Sequence, residues 1–449
     1  MALKFLRTKA FPALERALQR LIDADRPTRK RLVLYYFRKA TLLSISVLLS
    51  PLARLLARTR IRFLVGGCHL DRIGHTALEP DLYVKSEILG WHPRYYGILL
   101  APNKSVVNPC LLHYWKSYIR IIRNPFLVKL LRPLAINSCL QYDPLYVNFP
   151  DGNRVVILPA VYPIQAKYEA AYGGRPLLSL SPSDFERGWR CLQRLGVPRD
   201  AWFVCLHVRA PGYLPDDTCH SYRDADIYTY LPAIEEIVRR GGWVLRMGDP
   251  TMKRLPRMSQ VIDYAHSEVR SDWMDVFCLA QCKFLLGTTS GPFNVSFVFG
   301  VPCACTNFVP MGHGTYSSKD LFIPKLYWDV RDGRYLTFSE VLRSPLRALW
   351  KTQDYEAAGI TLVDNSPEEI RDLAVEMMDR LNGTVQYTPE DHALQKRFKS
   401  LLAVEPRFGT CSRVGRDFLR KYAWLLKEDG IEPEQGRPDR QPLLDSKGR

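Results

Sequence analysis

Short apolar runs, each ending abruptly in a polar cluster, recur through the middle of this 449-residue chain. Residues 202–206 lead into His207-Val208-Arg209, residues 243–245 into Arg246-Met247-Gly248-Asp249-Pro250, and residues 283–286 into Thr288-Thr289-Ser290-Gly291-Pro292. Runs of this length bounded by turn residues predict buried strands. Helical patterns lie between them at 230–240, with Pro232 tolerated in the first turn, and at 272–281 and 292–299. Further strands are predicted at 261–264 and 302–305. Alternation at this spacing predicts a parallel sheet with right-handed crossovers. Ligands of such sheets bind outside the carboxyl ends of the strands, so the three polar clusters are expected to line one crest.

The pattern is weaker toward the N-terminus. A first α/β unit is predicted to begin with a strand at 61–65, ending in Gly66-Gly67 and followed by Arg72-Ile73-Gly74-His75. Residues 96–100 and 155–158 are further strand candidates, 105–135 carries apolar helical patterns, and 173–183, rich in Gly, Ser and Pro, reads as a crossover linker. After Trp328 the pattern turns mainly helical, with Ser366-Pro367-Glu368-Glu369 as a capping box opening a helix over 366–381. The expected organisation is a basic amphipathic segment (1–60), an N-terminal Rossmann-like domain (61–185), a second Rossmann-like domain (186–345), a helical region (346–427) and a disordered tail (428–449). The fold class is α/β, with two Rossmann-like domains facing a cleft.

The net charge of +17 changes this picture through its location. Residues 1–62 hold 15 Lys and Arg against Glu15, Asp23 and Asp25, a balance of +12, which leaves +5 for the remaining chain. In this segment basic residues alternate with Leu3, Phe5, Leu6, Phe11, Leu14, Leu18, Leu21 and Ile22, a spacing compatible with an amphipathic helix on an anionic membrane surface. Residues 40–53 are uncharged, but Ser44, Ser46, Ser50 and Pro51 interrupt them and they fall short of the roughly 20 apolar residues a span requires. They are expected to dip into one leaflet or to pack on the first domain. No small-residue cleavage site follows, which argues against a secretory signal. Eleven cysteines include no Cys-x-x-Cys pair and no zinc-like spacing, so buried free thiols in a reducing cytoplasm, at the inner face of the cell membrane, fit best and no metal is expected.

The three clusters suit an anionic, nucleotide-like ligand. In the third, Pro292 marks the first helical position, so Ser290 or Gly291 is the expected N-cap, and the helix dipole with free N–H groups there suits an anion such as a diphosphate, with Thr288, Thr289, Ser290 and Gly291 as candidates; a plain strand-to-helix turn is the competing reading. Arg209, two residues after His207, faces the same way if the strand continues, and its guanidinium can grip phosphate in bidentate fashion. Arg246 and Asp249 flank Gly248, offering a cation for phosphate and a carboxylate for a hydroxyl or base edge; an internal Arg–Asp ion pair is the competing reading. Asp272 opens the following helix.

These motifs resemble those of GT-B glycosyltransferases. His207-Val208-Arg209, Gly248-Asp249-Pro250 and Thr289-Ser290-Gly291 are similar, in order, to the three motifs of bacterial nodulation and eukaryotic core or protein fucosyltransferases. The longer set, Ser221-Tyr222-Arg223-Asp224-Ala225-Asp226 with Arg246-Met247-Gly248-Asp249 and Gly287-Thr288-Thr289-Ser290-Gly291, looks closer to a family of bacterial glycosyltransferases of surface-glycan biosynthesis, a likeness covering most of residues 60–380. The resemblance implies a nucleotide-diphosphate-sugar donor, GDP-linked donors included, and a glycan or lipid-linked glycan acceptor. It implies no cofactor, and inversion at the anomeric carbon. By it Arg209 binds the diphosphate, Asp249 contacts the nucleoside, Thr289 and Ser290 hold phosphate, and Tyr222, Arg223 and Asp272 are accessory. Ala210-Pro211 stands where fucosyltransferases carry a second basic residue, so the sugar is left open. Arg72-Ile73-Gly74-His75 resembles Gly-His loops that face the donor, making His75 the expected general base, with Glu79 or Asp81 in reserve. The alternatives are a basic nucleic-acid-binding protein and a catalytically silent scaffold of the same fold. A dinucleotide-dependent oxidoreductase is disfavoured because no Gly-x-Gly-x-x-Gly follows the first strand of either unit.

Overall fold

The computed structural model describes Gln19 and residues 22–64, 70–102, 105–211, 218–403 and 408–426. The apolar positions expected from Leu3 to Leu21, the Gly66-Gly67 turn and the tail from 428 lie outside these residues. The chain is α/β with parallel sheets, as the strand–helix alternation predicts, and it divides into two units.

The first unit comprises residues 1–66, 94–104 and 119–143. Four strands, β1 (Ile61–Leu64), β2 (Tyr96–Leu100), β3 (Arg120–Ile122) and β4 (Gln141–Tyr142), form a parallel sheet in the order β3-β2-β1-β4. β3 interrupts the helical stretch expected over 105–135, because Ile119, Ile121 and Ile122 are β-branched residues next to a turn at Asn124. Asn124 then caps the helix Pro125–Ala135 through its side-chain Oδ1, which accepts from the Phe126 and Leu127 amides. The apolar stretch from 40 to 53 is split between the helices Arg26–Leu48 and Ser50–Ala57. Ala53 is fully buried against Phe63, Ala135 and Leu140, so one face of this segment belongs to the core of the unit.

The second unit comprises residues 67–93, 105–118 and 144–449. It contains the helix Ile73–Ile88, which the sequence reading grouped with the first domain. β5 (Tyr146–Asn148) and β6 (Arg154–Val156) form an antiparallel hairpin, and the helix Ile157–Tyr172 starts where a strand was expected to continue to residue 158. The main sheet follows: β7 (Phe203–His207), β8 (Trp243–Arg246), β9 (Val261–Ile262), β10 (Phe284–Gly287), β11 (Cys303–Phe308) and β12 (Leu321–Pro324). β13 (Leu326–Asp329), β14 (Arg334–Tyr335) and β15 (Ile360–Val363) make a separate antiparallel sheet in the region expected to be mainly helical. β16 (Arg413–Val414) then returns to the edge of the main sheet.

All neighbours in the main sheet are parallel, in the order β16-β12-β11-β10-β7-β8-β9. β7 and β10 are buried along their whole length, the continuous apolar pattern of a central parallel strand. From β7 the chain steps outward to β8 and β9, then crosses to β10 on the other side and steps outward again. The order therefore reverses between β7 and β10, the place where open α/β sheets bind ligands. The capping box at Ser366 and Glu369 is present as predicted.

Candidate active site

The reversal point is built by two strand ends in register, with His207 opposite Gly287. Gly287 has φ +153°, and a Cβ there would lie 1.9 Å from the His207 carbonyl oxygen, so only glycine lets β10 end this close to β7. The loops beyond are tied together. The Thr288 amide donates to the His207 carbonyl at 3.1 Å, and the Arg209 amide donates to the buried Thr288 hydroxyl at 2.9 Å. Strand β7 stops at His207, so Arg209 is placed by these loop bonds and not by the strand continuation expected from alternation.

Ser290 is the N-cap of the helix Gly291–Val298, one of the two expected caps, and Pro292 is its second residue, one position later than expected. Yet the Ser290 side chain makes no capping bond. Its hydroxyl, the Thr289 hydroxyl and His207 Nδ1 are buried with no hydrogen-bond partner. Burial first, and the nearby Arg246 and Arg209 guanidinium groups second, push His207 down to about 4, so the ring is neutral near pH 7. The Thr289 and Ser290 hydroxyls directly precede the first turn of this helix, whose N–H groups the Ser290 side chain does not cap, and together they offer hydrogen-bonding capacity that suits an anion.

The flanking charges are unequally committed. Arg209, about a quarter exposed, uses Nε on Asp224 at 2.8 Å, and no carboxylate among the described residues holds its other nitrogens. Lys325, just past β12, donates to the Asp224 carbonyl at 2.9 Å and pairs with Asp364 at 2.7 Å, bracing the same loop. Tyr222 is buried against Tyr355, and Arg223 lies over the Tyr222 ring. Arg246, expected to meet phosphate, is buried and held by Asp263 at 3.0 Å and the Lys253 carbonyl at 2.8 Å. The internal ion pair weighed from the sequence thus exists, with Asp263 in place of Asp249. Asp249 is buried too, and its Oδ1 accepts from the Thr251 amide and hydroxyl, which fixes the turn after β8. Gly248 has φ +147°, which that turn requires, and its carbonyl accepts from Arg270. The Asp272 side chain is exposed, and its backbone carbonyl accepts from Asn108 at 2.8 Å.

The helix Ile73–Ile88 meets the helix Gly291–Val298 at their first turns. A Cβ on Gly74 would lie 3.0 Å from Gly291 Cα, one on Gly291 would lie 2.6 Å from Ile73 Cγ2, and Asn294 donates to the Gly74 carbonyl at 3.3 Å. His75 follows Gly74 and so lies in the turn of Ile73–Ile88 that meets the start of Gly291–Val298. His75 Nδ1 is 2.8 Å from Glu79 Oε1; the imidazole is 40% exposed and the carboxylate fully buried. A carboxylate facing Nδ1 favours the tautomer that carries its proton there. Asp81 does not join this pair. It is fully buried on Lys85 at 2.7 Å, which also holds Gln165, so its charge is already matched within the helix layer. Burial raises its carboxyl and Lys85 opposes the rise.

The sequence reading did not single out His313. It lies in Met311-Gly312-His313-Gly314, just past β11, where an apolar strand again gives way to a polar loop. Its ring packs between Trp350 and Phe408, with centroids 5.4 and 4.9 Å away, and its buried Nε2 has no partner. Burial, then Arg347, pushes it down to about 4.

No protein-family profile matches the sequence, and no curated protein matches it. Among solved structures, the chain is similar to the ADP-heptose lipopolysaccharide heptosyltransferase II of E. coli, with 13% identity, a TM-score of 0.37, and coverage of 59% of this chain and 90% of that one. It is similar to a family 9 glycosyl transferase from Veillonella parvula at 10% identity, TM-score 0.30 and coverage of 71% and 81%. It is also similar to the iron-containing dodecameric glycosyltransferase TibC of enterotoxigenic E. coli at 13% identity, TM-score 0.34 and coverage of 73% and 76%.

Proposed function

We propose that the second unit transfers a sugar from a nucleoside-diphosphate donor to a hydroxyl acceptor. The observation that carries this reading is the set of unpartnered buried atoms, His207 Nδ1, Thr289 Oγ1 and Ser290 Oγ, at the reversal point of the sheet. The diphosphate sits over the first turn of Gly291–Val298, accepts from those hydroxyls and backbone N–H groups, and is neutralised by Arg209. The acceptor oxygen attacks the anomeric carbon, its proton passes to His75 Nε2, and the bond from that carbon to the phosphate oxygen breaks. Glu79 positions the imidazole and stabilises the imidazolium as it forms. A single displacement of this kind inverts the anomeric centre. Charge building on the leaving diphosphate is stabilised by groups already in place.

The motif resemblance extends the proposal to a glycan or lipid-linked glycan acceptor in surface-polysaccharide assembly. Arg209→Ala tests the donor half. Calorimetry with nucleoside diphosphates and their sugars should show a loss of affinity of about tenfold or more, with circular dichroism unchanged, because one charge-assisted pair contributes that much. Unaltered affinity would sink the assignment.

A further inference from the structure

The two units differ in charge far more than the N-terminal excess suggests. The first holds 21 Lys and Arg against four acidic residues, Glu15, Asp23, Asp25 and Asp143, so it carries the entire net charge of +17, and the second unit is neutral. Residues 26–62 contain ten Lys and Arg and no acidic residue, and residues 119–142 contain four and none.

This basic unit also exposes apolar side chains. Phe37, Val47 and Leu48 on the helix Arg26–Leu48, Leu55 on Ser50–Ala57, and Phe126 and Leu130 on Pro125–Ala135 are each more than half exposed. A groove of about 640 Å³ is lined by Arg26, Arg29, Lys30, Val33, Leu34 and Phe37, with cations and an apolar wall together. The three helices form one assembly. Asn137, just past Pro125–Ala135, donates to the Ser46 carbonyl at 3.3 Å and the Ser50 hydroxyl at 3.2 Å, across the break between the first two. No single described helix is long and apolar enough to cross a membrane. The pair Arg26–Leu48 and Ser50–Ala57 passes on length and composition only together, bent by 59°. With Ala53 committed to the unit's core, this pair cannot be ringed by lipid.

We infer that the first unit docks on the surface of an anionic bilayer. The helices Arg26–Leu48, Ser50–Ala57 and Pro125–Ala135 press their apolar side chains into the headgroup boundary, and the surrounding cations pair with lipid phosphates. Charge complementarity selects the anionic surface. The exposed Phe, Leu and Val side chains select lipid over a polynucleotide, whose phosphate backbone offers them nothing to bury against. The inference is independent of the donor site, which lies wholly on the other unit.

The test is sedimentation of the full chain with phosphatidylglycerol vesicles and with phosphatidylcholine vesicles. Binding should require phosphatidylglycerol. It should fall about tenfold or more in Phe126→Ser/Leu130→Ser, whose side chains are exposed and outside the core, and also in Lys129→Glu/Arg132→Glu, with circular dichroism unchanged in both. Equal binding to both vesicles, or wild-type binding by both double variants, would overturn the proposal. So would displacement from vesicles by duplex DNA with an affinity indifferent to Phe126 and Leu130.

Discussion

At the scale of single residues, His207 holds the most consequential position, a buried imidazole kept neutral by burial and by the positive charges of Arg246 and Arg209. The unfolded chain takes up a proton on this residue near its ordinary value of about 6.5, whereas the folded chain refuses it until about 4. Its contribution to stability is therefore full above the unfolded value and is lost as pH falls through about 4. Over that window the slope it contributes is at most about 1.4 kcal/mol per pH unit. His313 behaves alike, and Asp320, pushed up to about 7 by burial, acts in the opposite sense, so the wild-type profile mixes several groups. The difference between wild type and His207→Gln isolates one of them. Denaturant unfolding should give a shallower acid limb in the variant from about pH 6.5 to 4, and superimposable limbs would remove His207 from the buried neutral state assigned to it. The sequence made this residue visible because a histidine directly after an apolar run is conspicuous. It could not show the partners. Asp224 holds Arg209 across 15 positions and Asp263 holds Arg246 across 17, so which arginine is committed internally depends on loop paths that no local pattern encodes.

At the scale of elements, the decisive contact is the crossing of Ile73–Ile88 and Gly291–Val298, where two glycines let the first turns approach. Alanine is the better helix former by about 1 kcal/mol in a helix interior, and at the first helical position Gly291→Ala loses nothing in propensity, so any net loss must come from the crossing itself. The added methyl would stand 2.6 Å from Ile73 Cγ2 and 3.1 Å from the Gly74 amide. Overpacking of this kind costs about 1–3 kcal/mol. If His75 is the base proposed above, transfer should fall as well as stability, because the residue that must yield, Ile73, lies two positions from His75. Gly74→Ala presses on the same contact from the other side, so the double variant should be less than additive in thermal unfolding. Additive losses, or full activity in both single variants, would show that the crossing does not position His75. The crossover elements of the main sheet were legible because their runs are apolar throughout and end in turn residues. The antiparallel sheet of β13, β14 and β15 was not, because strands of two and four residues are shorter than any periodicity. The link between Gly74 and Gly291 was equally hidden, being long-range and made by residues with no side chain.

At the scale of the whole molecule, the charge separation matches the two kinds of binding proposed for the two units. Summed along the sequence, the excess looked like an N-terminal segment of +12 with a mildly basic body. Grouped by the fold, residues 94–104 and 119–143 join the basic unit, and the unit bearing the crest has no net charge. A polyanion read by the crest would need the opposite arrangement. Donor binding should therefore rest on a few local contacts, led by Arg209 in a partly buried setting that salt screens weakly. Raising salt from about 0.05 to 0.5 M should weaken nucleotide-sugar affinity by no more than about fivefold. Association with anionic vesicles, driven by many exposed cations, should fall by about a hundredfold over the same range. Calorimetry for the first and sedimentation for the second, on the same full-length protein, supply both slopes. If donor binding were as steep as vesicle binding, the neutral unit could not be where the nucleotide sits, and the crest would lose its claim to the diphosphate.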